Sequence, residues 1–285
     1  MASGATDTRR SPSATGEYLV DPEWLEAHLG DPRLRLVEVD VSPGPYDEGH
    51  IEGAVLWDVY RDLKDAEYRL IDEEAAVALI GRSGIGPGSL VVVYGYAPAM
   101  GFWFLKLHGH ADVRILDCAR ATWREGGRPW THRKADPVAA TRYPLTGRAE
   151  RIRADQPAVE SAMGSPSCSL VDVRTGPEFR GECFWPSGGL EEGGRPGHIP
   201  SAVHLPIGAL HDGRGSFLPA ADLRRQFSSI DLSGQDEIIT YCTIGGRAST
   251  VWFVLTYLLD CDDVRVYDGS WAEWGRLAGT PVAFG

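Results

Sequence analysis

A chain of 285 residues, 43% of them hydrophobic, can furnish one large core or two of ordinary size. Its formal net charge of -12 argues against broad nucleic-acid binding and against attachment to an anionic membrane, because both need a basic field; an anionic substrate must then meet a local positive site. No window approaches the roughly 20 consecutive apolar residues that span a bilayer, and the opening MASGATDTRRSPSATGEYLV has arginines without an apolar stretch to act as a signal peptide, so a soluble, cytoplasmic protein is expected. Residues 1–16 are small and polar and read as a disordered tail.

A first unit is expected over 17–130. It contains LRLVEVD (Leu34 to Asp40), EGHIEGAVLWD (Glu48 to Asp58), the helix-compatible stretch Glu73 to Ile80, SLVVVYG (Ser89 to Gly95) and HADVRILDCARATWREGGRP (His110 to Pro129). Residues 131–156, rich in charge, Pro and Ala, show no convincing strand pattern and read as a linker. A second unit, 157–285, contains CSLVDVR (Cys168 to Arg174), PGHIPSAVHLP (Pro196 to Pro206), DEIITYC (Asp236 to Cys242), the helical pattern Ala248 to Leu259 and CDDVRVYDGSWAEWGRLAGTP (Cys261 to Pro281). Four blocks recur in one order, which marks a duplicated domain. The short runs LVEV, VVVY, LVDV and IITY suit strands buried on both faces of a mainly parallel sheet, and the helical stretches between them point to an α/β fold.

The run IITY leads into Cys242-Thr243-Ile244-Gly245-Gly246-Arg247, after which a helix begins. A thiol on a tight loop between a strand end and a helix start can be ringed by backbone N–H groups, and the helix N-terminus adds positive potential, so a thiolate is stabilised there. Gly245 and Gly246 permit backbone angles closed to larger residues. Arg247 adds a permanent cation with planar donors suited to an oxyanion. Laying VVVYG on IITYC puts Gly95 where the second unit has Cys242, and Tyr96-Ala97-Pro98-Ala99-Met100 offers neither thiol nor arginine, so the first unit cannot perform the same chemistry.

The chain resembles the tandem-domain rhodaneses, the thiosulfate and 3-mercaptopyruvate sulfurtransferase family, from about Tyr18 to the C-terminus. The matching pieces are Asp172-Val173-Arg174 with Glu178-Phe179-Arg180-Gly181, Gly197-His198-Ile199-Pro200-Ser201-Ala202, the loop Cys242 to Arg247, and Tyr267-Asp268-Gly269-Ser270-Trp271. The resemblance implies two rhodanese-like domains of which only the second is catalytic, with Cys242 alternating between thiol and persulfide. A small anionic sulfur donor would load Cys242, and a thiol or cyanide would collect the sulfur, with neither metal nor organic cofactor. Related tyrosine phosphatases have a longer loop between cysteine and arginine; the four residues here suit a terminal sulfur better than a phosphoryl group. Thiosulfate is the expected donor, because Arg247 gives the loop a fixed cation. The alternatives are 3-mercaptopyruvate and a non-enzymatic sulfur carrier or binding module.

Arg180 and Arg195 flank the insertion GECFWPSGGLEEGGRPGHIP, which could reach over the active-site mouth and bring them to a donor, while a solvated role is the plainer reading. Glu178 stands where several relatives of the resemblance carry a donor-binding arginine. Asp172 and Arg174 read as an ion pair fixing a strand end. His50 and His198 recur in both halves and read as turn holders, and Trp123, Trp271 and Trp274 as packing. Cys183 is either an incidental thiol or a resolving partner for an oxidised Cys242. Cys118, Cys168 and Cys261 read as inert, and a monomer is expected.

Overall fold

The computed structural model describes residues 17–135, 139–144, 147–208, 210–228, 230 and 237–285. The tail expected at 1–16 lies outside the described residues. Seven strands form from the first half of the chain: β1 (Leu19–Val20), β2 (Leu34–Asp40), β3 (His50–Ile51), β4 (Val55–Asp58), β5 (Leu90–Gly95), β6 (Val113–Leu116) and β7 (Trp130–Thr131). The second half contributes β8 (Arg153–Ala154), β9 (Cys168–Asp172), β10 (Val203–His204), β11 (Glu237–Tyr241) and β12 (Val264–Tyr267).

The strands build two parallel five-stranded sheets in the orders β4-β2-β5-β6-β1 and β10-β9-β11-β12-β8, so the sequence repeat is also a repeat of topology. The fold is α/β, with helices on both faces of each sheet. β3 and β7 form a separate antiparallel ribbon. The edge strand β8 falls inside the stretch 131–156 expected to be a linker. At two residues it is too short to carry a period-two signal. Among the described residues, no helix is long and apolar enough to cross a membrane.

Alternation along the central strands decides which face meets which layer. In β2, Val37 and Val39 join one core cluster, while Leu34 and Leu36 join another beside Leu25 and Trp123. In the second sheet Val171 and Ile238 join the same cluster as Val37, whereas Leu170, Ile239 and Tyr241 pack with Trp271 and Trp274. One core therefore runs through both units. At its centre the helices Pro98–Leu107 and Gly246–Phe253 meet: the Phe102 ring lies 4.9 Å from Phe253, 5.1 Å from Tyr257 and 6.2 Å from Trp252. Phe102→Ala should cost roughly 3–5 kcal/mol, as expected for a fully buried aromatic, when measured by urea unfolding. A cost below about 1 kcal/mol would mean that this seam lies outside the cooperative unit.

The repeat extends to single hydrogen bonds. Ile51 N donates to the Tyr94 hydroxyl at 3.0 Å, and Ile199 N to the Tyr241 hydroxyl at 3.1 Å. His50 stacks on Tyr46 at 3.6 Å, and His198 stacks on Phe179 at 3.7 Å while its Nδ1 donates to the Phe179 carbonyl at 2.9 Å. Trp123, Trp271 and Trp274 are fully buried, and the indole N–H of Trp274 donates to the Pro281 carbonyl at 2.8 Å.

Candidate active site

The loop between β11 and the helix Gly246–Phe253 is shaped by where its backbone groups go. The carbonyls of Cys242 and Thr243 accept from Trp271 N and Ala272 N, both at 2.9 Å, at the start of the helix Ser270–Trp274. With those carbonyls turned outward, Gly245 N faces the sulfur and donates to Cys242 Sγ at 3.1 Å. Gly245 adopts φ +94, and a Cβ there would come within 3.2 Å of the Asp268 carbonyl oxygen, so a side chain would meet both strain and crowding. Ser270, itself in the left-handed region at φ 52, accepts from Cys242 N at 3.2 Å and donates to the Tyr267 carbonyl at 2.7 Å. The thiol sits at the bottom of this cradle, 1% exposed.

Arg247 does not stand free as a cation for a donor. Its Nη1 and Nη2 donate to Glu178 Oε2 and Oε1, both at 2.8 Å, and Nη2 also donates to Thr243 Oγ1 at 2.6 Å. Thr243 Oγ1 in turn donates to Glu178 Oε1 at 2.6 Å, so the Thr243 hydroxyl is committed to the loop's own frame. Glu178 is fully buried and also accepts from Thr175 N and Oγ1, at 3.0 and 2.8 Å. Burial alone would raise the Glu178 carboxyl, but the Arg247 guanidinium and the Thr243 hydroxyl outweigh it and hold the pKa at about 2. Burial works against the Arg247 charge as well, and its bonds to Glu178 with the field of Cys242 raise its pKa.

Above the thiol lies a cavity of about 300 Å³ lined by Thr243, Ile244, Gly246 and Arg247 of the loop. The first unit supplies much of the opposite wall through Tyr60, Tyr96, Ala97 and Met100. A Cβ on Gly246 would lie 3.8 Å from Ala97 Cβ and 4.0 Å from Met100 Sδ, so the two equivalent loops face each other. Gly95, at the position of Cys242, has φ +111, and a Cβ there would approach the Val39 carbonyl oxygen to 2.7 Å. The backbone of the first loop thus has no room for a nucleophile at that position.

The pattern of a rhodanese-like domain matches residues 21–125 and again 155–277. The chain belongs to the rhodanese family. Over 278 residues it is 40% identical to the sulfur carrier protein TtuD of Thermus thermophilus, covering 94% of this chain and 97% of that one. It is 40% identical over 276 residues to the Mycobacterium tuberculosis protein named "Putative thiosulfate sulfurtransferase SseA", covering 94% of this chain and 91% of that one. Among solved structures, YnjE matches with a TM-score of 0.82 at 24% identity, over 94% of this chain and 68% of that one, which is a likeness of fold.

In this rhodanese the two flanking arginines stand apart from the cavity. Arg180 is half exposed and pairs with Glu182 at 2.6 Å. Arg195 donates to the carbonyls of Trp274, Leu277 and Thr280 at 3.1, 2.6 and 2.6 Å, so its donors staple the insertion to the C-terminal segment. The insertion does reach the mouth, but through Trp185 and Pro186. Asp172 and Arg174 form a fully buried ion pair at 2.7 Å, with Arg174 donating to the Gly197 carbonyl at 2.7 Å and lying 4.5 Å over the Trp271 ring. No cluster of three metal-ligating side chains occurs among the described residues.

All five cysteines are free. Burial pushes Cys118 up to about 11 and Cys168 up to about 12, and raises Cys183 and Cys261 as well, with Glu178 and Glu182 adding to the effect at Cys183. Their surroundings oppose the thiolate, and Cys183 is not among the residues lining the cavity. Sequence reasoning missed the anchoring role of Glu178. The pattern Thr175-x-x-Glu178 was a visible capping-box signal and is realised here, but it does not say that the carboxylate also reaches Arg247.

Proposed function

We propose that this rhodanese is a sulfurtransferase that moves the outer sulfur of thiosulfate through Cys242 to a thiol or cyanide. The thiolate attacks the outer sulfur, the S–S bond of the donor breaks and sulfite leaves with the electron pair, giving a Cys242 persulfide. An acceptor thiolate or cyanide then attacks the terminal sulfur, and the Cys242 thiolate departs. This is covalent catalysis in two displacements, with ping-pong kinetics expected. The observation that carries the reading is Cys242 Sγ at the base of a cavity, accepting the Gly245 N–H within a loop whose carbonyls point away.

Arg247 is not a free cation for thiosulfate, since Glu178 matches its charge. The Gly245 N–H on the sulfur and the N-terminus of the helix Gly246–Phe253 favour an anion, and relatives are named for thiosulfate. The sulfur-carrier reading has its own support in the Thermus relative and in a mouth edged by Tyr60, Tyr96 and Trp185, wider and more apolar than thiosulfate needs.

The test is intact mass of the wild-type protein after incubation with thiosulfate or with 3-mercaptopyruvate, followed by cyanide. We expect thiosulfate to add one sulfur atom and cyanide to remove it as thiocyanate. Loading by 3-mercaptopyruvate alone would replace the donor, and loading by neither would overturn the enzymatic reading. Transfer to a protein thiol much faster than to cyanide would favour the carrier.

A further inference from the structure

We infer that Lys64, a residue of the non-catalytic first unit, is a positioning residue for the Cys242 loop, whose ammonium lies beneath the loop and balances the charge of the thiolate or persulfide. The inference rests on the sulfur-carrying role proposed for Cys242 and adds a part for the other domain.

Lys64 begins a hairpin that closes by pairing with Leu70, and this hairpin grips the second unit at Asp268. Lys64 Nζ donates to the Asp268 carbonyl at 2.6 Å, and Leu70 N donates to Asp268 Oδ2 at 2.7 Å. The same Asp268 carbonyl packs against Gly245, and Nζ lies 3.6 Å from the point where a Gly245 Cβ would stand. Gly245 N is the donor to Cys242 Sγ. The ammonium is thus one residue removed from the sulfur's own hydrogen bond, held there by an Asp268 that stands 204 positions from Lys64 in the chain.

The carboxylates nearest that charge are bonded to other groups. Lys64 is 5% exposed and, among the described residues, forms no ion pair with a carboxylate. The Asp268 carboxylate is taken by Arg153 at 2.8 Å and by Leu70 N. Glu273 accepts from the Tyr267 hydroxyl at 2.7 Å, and its carboxyl is raised by burial. Burial lowers the Lys64 pKa and disfavours the ammonium, with Arg153 acting the same way, while Asp268 and then Cys242 and Glu273 oppose that shift without reversing it. A buried ammonium with one carbonyl as its hydrogen-bonding partner is costly unless an anion lies nearby. In this inference the thiolate or persulfide of Cys242 is the anion that Lys64 faces, Arg153 being held by Asp268 and Arg247 by Glu178 on the cavity side.

The test compares full-length wild type with Lys64→Met and Lys64→Arg in the rate at which iodoacetamide alkylates Cys242 at pH 7, with the site assigned by peptide mass. No sulfur donor is involved, so the result is independent of whether thiosulfate is the substrate. In Lys64→Met the rate should fall roughly tenfold, the scale of a unit charge acting across several ångström in a partly screened site, while Lys64→Arg recovers much of it. A folded Lys64→Met protein alkylated at the wild-type rate would overturn the inference. Should Lys64→Met fail to fold, the thermal midpoints of Cys242→Ser with and without Lys64→Met decide. Without the sulfur anion the ammonium keeps only Asp268 and Glu273, both bonded elsewhere, so removing it should cost less than in the cysteine background. A loss as large as in the cysteine background overturns the inference equally.

Discussion

Cys242→Ser should fold as the wild type does, carry no cyanide-labile sulfur and lose turnover by on the order of 10⁴-fold or more, the scale seen when a covalent nucleophile is removed. The hydroxyl is close to isosteric and can accept the Gly245 N–H that now bonds Sγ at 3.1 Å, so the cradle keeps its shape. What it loses is an atom able to become an anion at neutral pH and to form a sulfur–sulfur bond. The measurement is thiocyanate release together with intact mass after thiosulfate. Residual activity above about a tenth of wild type would require a second competent thiol, and Cys118 and Cys168, held up at about 11 and about 12 by burial, are poor candidates.

Glu178→Gln should cost roughly 3–5 kcal/mol at pH 7, because it leaves Arg247 charged and partly buried without its counter-ion, and turnover should fall with it as the loop loosens. The sign of the pH dependence follows from the carboxyl's pKa of about 2 in the folded protein against an ordinary value of 4.5. Between those values the unfolded chain binds the proton that the folded one refuses. The stability Glu178 contributes is therefore fully present above the ordinary value and is lost as pH falls towards 2. Urea unfolding of both proteins at pH 7 and pH 3 should show a wide gap that narrows in acid. A gap that stays constant would mean that the Glu178 charge does not hold the loop.

Much of this architecture was legible because its signals are local. The continuous β-branched runs of β2, β5, β9 and β11 announce buried parallel strands, and the repeat fixes their order. The active loop is legible for the same reason, since thiol, glycines and arginine fall within six consecutive residues. What the sequence hides is partnership at a distance. Arg247 looks like a cation offered to substrate until Glu178, 69 positions upstream, takes both of its ends. Arg195 looks like an anion ligand, yet its partners are carbonyls some 80 positions downstream, and a guanidinium serves either equally well. The strands β1, β8 and β10 are too short to carry a period. The cavity wall from Tyr96 to Met100 follows from helix packing across the repeat, which no window of either half contains.

That wall has a consequence for how the protein can change. The loop holding the sulfur and the loop facing it descend from one ancestral unit, and each is set by its own strand and helix. Part of the selectivity is therefore written on the copy that lacks the nucleophile. Substitutions at Tyr96, Ala97 or Met100 alter what reaches the sulfur while leaving the bonds of the Cys242 cradle in place, so this loop of the copy that lacks a thiol is free to vary in a way that its counterpart is not.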